Sequence, residues 1–219
     1  MRQLAFLYIM LASAFGQTGD IRPTFTNKQF VYSYPGSFSS IRKIDFRNFA
    51  FVLFDDNGNP TPWIGNRSKF HLKNGHYKQW GTNIRYASID LDSIHYLPQF
   101  PTSDGDSALV LLSWFGAGGS SSQWGTADLL TLSGSHLQVV QEIEWQTHAG
   151  GNESFDPTTN TLVVRSDHHV GGDGNCCLSA LDVGTFKWDG SRFVQTDTRT
   201  DLWEYSDREG KTLPRLPAR

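Results

Sequence analysis

Cysteine is nearly absent from this chain. Of 219 residues only Cys176 and Cys177 are cysteine, and they are neighbours. No disulfide framework can brace the fold, because a bridge between adjacent residues closes no long loop. Long apolar runs are missing as well. The run Leu4 to Leu11 falls short of the roughly 20 residues that a membrane-spanning helix needs, and no later stretch is apolar enough to anchor the chain. Charge of one sign is also lacking. The chain has 19 basic and 22 acidic residues, a net charge of −3, which gives no global attraction for nucleic acid or anionic lipid. The sequence contains no G-x-S-x-G elbow, no P-loop and no H-E-x-x-H pair, and no cofactor motif follows from any other segment. Gly116 to Gln123 is glycine- and serine-rich, but no helix follows to present its dipole to a phosphate. It reads as a flexible loop.

The N-terminus carries a compartment signal. Arg2, the apolar run and then Ala12, Ser13 and Ala14 occur in the order of a secretory leader. Export with cleavage near Ala14 is expected, into a secreted or periplasmic setting. No cysteine lies near that point, so no lipid anchor is expected there. The chain then divides into a leader (1–14), an extended lead-in (15–43), a single β-domain (44–205) and a flexible tail (206–219).

Within the domain the dominant period is two. Apolar residues at 44 and 46, then at 49, 51 and 53, predict a strand over Ile44 to Phe54 with a β-bulge at Asn48. Ala108 to Phe115 is continuously apolar, as in a central strand buried on both faces. Asn74-Gly75, Ser133-Gly134 and Asp189-Gly190 each separate two such runs. Residues of this kind accept the positive φ angles that tight hairpins require. Pro157 fixes a turn before a further strand at Thr161 to Arg165. No part of the mature chain keeps a helical period for three turns. The fold class is therefore all-β: an antiparallel meander of about nine or ten strands, as a sandwich, an open barrel or propeller-like sheets.

Chemistry-bearing residues concentrate between Asp167 and Ser179, where His168, His169, Cys176 and Cys177 lie close in sequence. An exported protein meets oxidising conditions. Adjacent Cα atoms are about 3.8 Å apart, closer than ordinary disulfides span. A Cys176–Cys177 bond would therefore be strained and easily reduced. Its bland counterpart is a rigid turn before the next strand. The four side chains are also a candidate Zn²⁺ or Cu⁺ set, although neighbouring residues on a strand point to opposite faces. Asp104 and Asp106, with Asp90 and Asp92, form a candidate calcium group. The loop at Asp55, Asn57 and Asn59 begins like a calcium loop but has Pro60 where glycine is needed. Trp63, Trp80, Trp114 and Trp124 flank loops and are candidates for stacking on a sugar or peptide. Glu142 and Glu144 share one strand face, which reads as a solvated face rather than a glycosidase pair.

Two patches carry a resemblance. Cys176 and Cys177 with Ser179, followed by the hairpin Thr185 to Val194, resemble the ending of the LppP/LprE-type bacterial envelope lipoproteins and of related uncharacterised secreted bacterial proteins. Ile41 to Phe49 is similar to the opening of such domains, and Ser103 to Ser107 to their turn before a buried strand. The resemblance implies a secreted bacterial β-domain and brings neither catalysis nor a ligand. Anchoring does not carry over, because the lipid-attachment cysteine is missing. The expected function is a non-enzymatic envelope or binding domain with a protein or glycan partner. Redox or metal handling at the histidine–cysteine segment and carbohydrate binding by tryptophans are the alternatives.

Overall fold

The computed structural model describes residues 22–24, 32–33, 37–53, 69–79, 87–97, 107–118, 120–147, 153–168 and 180–202. They form thirteen strands: β1 (Arg22–Thr24), β2 (Tyr32–Ser33), β3 (Ala50–Leu53), β4 (Lys69–His71), β5 (His76–Gln79), β6 (Ala87–Leu97), β7 (Ser107–Gly118), β8 (Ser120–Ser133), β9 (His136–Thr147), β10 (Glu153–Asp156), β11 (Thr161–His168), β12 (Ala180–Trp188) and β13 (Phe193–Leu202). Every pairing is antiparallel. There are three open sheets: β1-β9-β8-β7-β6-β5, β10-β11-β12-β13 and β2-β3-β4. No α-helix occurs among the described residues. The all-β expectation is met, and the meander holds within each run β5 to β9 and β10 to β13.

The six-stranded sheet is the middle layer. Alternate residues of β7 separate into two cores. Ala108, Val110, Leu112 and Trp114 pack with Ile41, Ile44, Phe46, Phe70 and Leu72 on one face. Leu109 and Leu111 pack with Leu162, Val164, Phe186 and Phe193 of the four-stranded sheet on the other. This is why Ala108 to Phe115 reads as an apolar run broken only at Ser113: both faces of the strand are covered. Burying each such leucine stabilises the fold by about 1.5–3 kcal/mol.

The turns follow the sequence closely. Gly134 has φ of 62° and joins β8 to β9, where Ser133 pairs with His136. Gly190 has φ of 103° between β12 and β13. The Asp189 carboxylate accepts from the Ser191 and Arg192 amides at 2.8 and 2.9 Å, closing that loop. Asn160, with φ of 49°, ends the Pro157 turn, and Asp156 accepts from the Thr158 amide and the Thr159 hydroxyl.

Three expectations need correction. The strand predicted from Ile44 begins only at Ala50, and two 3₁₀ turns, Ile41–Lys43 and Phe46–Asn48, stand before it. Asp45 is the cause. Its carboxylate accepts from the Arg47 amide at 3.1 Å and from the Asn48 side chain at 2.8 Å, a local alternative to a sheet ladder. The bulge predicted at Asn48 is therefore a turn. Asn74-Gly75 does turn the chain with positive φ at both residues, and Lys73 and His76 close the turn through reciprocal backbone hydrogen bonds, but beyond that bridge its arms part: β4 joins β3, whereas β5 joins β6. Gly116 to Gln123 does not form a flexible loop. β7 runs to Gly118, and Gly118 pairs with Ser120 at the tip of a hairpin. Small residues cost strand propensity, yet cross-strand pairing carries them into the sheet.

Candidate functional site

The two sheets that enclose the second core meet along an apolar zone and then become polar. Register shows where. His76, Asp90, Ser113, Gly125 and Trp145 form one row across β5, β6, β7, β8 and β9. This row lies on the face that carries Leu109 and Leu111. On the opposing sheet, Glu153, Val164, Gly184 and Thr198 form one row, and Ser166, Asp182 and Thr200 the next. Val164 belongs to the shared core, so Glu153, Asp182 and Ser166 occupy the inward face as well.

At the β6–β10 seam, carboxylates from the two sheets oppose one another. β6 carries a bulge between Leu91 and Ser93, which frees Asp92 to turn toward Ser113. The Ser113 hydroxyl donates to Asp92 at 2.6 Å. His76 Nδ1 lies 2.6 Å from Asp90 Oδ1, and the Ser88 hydroxyl donates to the other oxygen of Asp90 at 3.3 Å. Across the seam, Glu153 faces Asp92, and its Oε2 is buried with no hydrogen-bond partner among the described residues. Asp92 is pushed up to about 6 from the ordinary 3.8, by burial first and then by the negative charges of Glu153 and Asp90, while the Ser113 hydroxyl opposes the shift. Part of Asp92 remains exposed, so solvent screens the repulsion. Further along β6, the His95 ring lies 4.5 Å from Phe155 of β10, and burial lowers its pKa.

Protonation of Asp92 removes its repulsion with the carboxylates beside it. An acid whose folded pKa is raised stabilises the fold in its protonated form. That contribution is complete below about pH 4 and is lost as pH rises through about 6. Thermal melts across this range are expected to show stability falling as pH rises, with Asp92→Asn flattening this part of the profile. Parallel profiles for the two proteins would refute the assignment.

A second polar cluster lies at the far ends of β11, β12 and β13. His168 Nδ1 is 3.0 Å from Asp182 Oδ2, and the Thr200 hydroxyl donates to Asp182 Oδ1 at 2.6 Å. The side chains of His168 and Asp182 are only 21 % and 13 % exposed, so His168 is held rather than loose in a loop. Its Nε2 has no hydrogen-bond partner among the described residues. A carboxylate on Nδ1 that leaves Nε2 open is the arrangement that orients an imidazole as a metal ligand. Beside it, the Ser166 hydroxyl ties the two sheets. It accepts from the Gln146 amide at 3.1 Å and donates to the Gln146 carbonyl at 3.2 Å.

Of the residues singled out in sequence, His169, Cys176, Cys177, Asp104, Asp106, Trp63 and Trp80 lie outside the described residues. No group of three or more His, Cys, Asp or Glu positioned for a metal ion occurs among the described ones. Trp114 is not available for stacking on a ligand. It is 4 % exposed, its Nε1 donates to Thr126 at 3.0 Å, and its ring lies parallel to that of Trp124 at 6.4 Å. Burial on both faces of β7 is the reason. Trp124 is half-buried against the same core. Glu144 has an exposed surface, yet burial of its carboxyl raises its pKa, and Glu142 is half-buried, so this face is only partly solvated. Sequence reasoning did not single out Glu153, Asp182 or Ser113, because each acquires its role from a partner on another strand.

No helix among the described residues is long and apolar enough to cross a membrane. No protein-family model, curated protein or solved structure matches the chain.

Proposed function

We propose that the protein is an exported, non-enzymatic recognition domain that meets its partner at the polar rim between the six-stranded and four-stranded sheets. The observation that carries this reading is the change of character along one interface. The inward faces are apolar at Leu109, Leu162 and Phe186 but present Ser88, Asp90, Asp92 and Ser113 against Glu153 at the β6–β10 seam. Packing occupies both faces of the middle sheet, so that sheet meets a partner at its rim. A carboxylate-rich rim selects a basic group, and a lysine- or arginine-containing peptide is the fitting probe. Titration with such peptides is expected to give binding that weakens with salt and is lost in an Asp90→Asn, Asp92→Asn double variant. Binding of equal strength in that variant would refute the rim as the site. Export is tested separately: intact mass of protein recovered outside the cytoplasm should lack the residues up to about Ala14.

The held imidazole of His168 supports a second reading, thiol or metal handling with His169, Cys176 and Cys177. Zn²⁺ bound stoichiometrically, lost in His168→Ala and weakened in Asp182→Asn, would favour it over the rim. The burial of Trp114 weighs against carbohydrate stacking.

A further inference from the structure

Among the described residues one sheet edge is longer than the others. β5 and β10 are four residues long, β1 and β4 are three, and β2 is two. Edges that short offer little template to another chain. β13 runs for ten residues, Phe193–Leu202. It pairs with β12 on one side, and no strand lies on its other side among the described residues. Every residue from Val194 to Asp201 is exposed. Protected edges of such length carry proline, lysine, an inward-turned charge or a β-bulge. This stretch has neither proline nor lysine, and its one bulge, at Thr196, leaves Asp197 to Leu202 in regular register with β12. Its charges, Asp197, Arg199 and Asp201, pair in register with Thr185, Val183 and Leu181. They therefore lie on the face turned away from the middle sheet. Thr198 and Thr200 between them, and Thr196 before them, are strand-favouring residues.

The order of charges identifies the occupant. Arg199 stands between Asp197 and Asp201, within 3.5 and 3.0 Å of their carboxylates. Suppose a second copy of the strand is laid antiparallel with a two-fold axis at Thr198. Each Arg199 then falls opposite Asp197 of the other copy, and threonine falls opposite threonine. An axis at Thr200 opposes Arg199 to Asp201 in the same reciprocal way. Axes at Asp197, Arg199 or Asp201 would instead oppose like charges, which leaves the threonines as the axis positions. Opposite-charge and threonine pairs directly across antiparallel strands are the favourable cross-strand pairs. An interface that complements itself in this way is what a two-fold dimer requires. Val194, the one large apolar side chain left exposed among the described residues, at 38 %, lies on the same strand.

We propose that β13 is a dimerisation edge: two copies of the chain pair antiparallel through it, with a threonine on the axis, and their four-stranded sheets join into one. This assignment is independent of the rim and of its ligand. Sedimentation velocity of the leaderless chain tests it. The wild-type protein is expected to sediment as a dimer at micromolar concentration. Arg199→Asp makes the strand uniformly acidic and is expected to weaken association about ten-fold or more. The double variant Asp197→Lys, Asp201→Lys makes it uniformly basic and should be monomeric alone for the same reason. Mixing the two variants should restore a dimer containing one of each, which damage to the fold cannot do. A monomeric wild-type protein, a dimer indifferent to Arg199→Asp, or a mixture that stays monomeric would each overturn the proposal.

Discussion

Gly125→Ala is expected to destabilise the domain by about 3 kcal/mol or more, and Gly125→Val to prevent folding. In the register of β8 and β9, Gly125 sits opposite Trp145, and the indole packs directly against the glycine. A Cβ placed on Gly125 would stand 2.6 Å from Trp145 Nε1 and closer still to two ring carbons. The ring has nowhere to retreat. Trp145 is 1 % exposed and belongs to the core shared with Leu162 and Phe186. Overpacking of a filled core moves backbone or forces side chains from their rotamers, and a domain has only about 5–15 kcal/mol of net stability to lose. Urea unfolding of a double-variant cycle checks the cause. Gly125→Ala should cost far less when Trp145→Leu has already removed the ring, although Trp145→Leu is itself costly. Additive costs would show that the ring is not what excludes the methyl group.

Gln141→Leu is the second large effect, at about 2–5 kcal/mol. Gln141 is fully buried. Its amide nitrogen donates to the Phe193 carbonyl at 2.8 Å, and its carbonyl oxygen accepts from the Phe193 amide at 2.7 Å. One side chain thus satisfies both backbone groups of a residue 52 positions away and fixes the start of β13 against β9. Leucine keeps most of the volume but leaves a buried donor and a buried acceptor without partners, each costing about 1–3 kcal/mol. Hydrogen exchange at the Phe193 amide reads the event directly. Faster exchange in Gln141→Leu is expected, with amides of the β7–β8 pair much less affected. Unchanged protection at Phe193 would refute the role.

The fold class was open to reading without coordinates, since a period of two and glycine or asparagine at turns are local properties. Ser133-Gly134 and Asp189-Gly190 turn where positive φ is affordable, and Ala108 to Phe115 announces its double burial. Local chemistry was also misread, because composition was weighed without neighbours. Asp45 diverts Ile44 to Asn48 into turns through its own side chain, and the glycines after Phe115 stay in a ladder because Ser120 to Ser122 pair with them.

By itself the sequence determined that this is an antiparallel β-protein with its hairpins at these turns and little net charge. Those properties depend on residues a few positions apart. Tertiary structure decided everything that joins distant strands: the middle sheet covered on both faces, Trp145 over Gly125, Gln141 on Phe193, Asp92 against Glu153 and Asp182 on His168. Periodicity says which residues of one strand share a face, but not what that face meets. The meeting is fixed only when whole sheets pack and every buried polar group must find its partner.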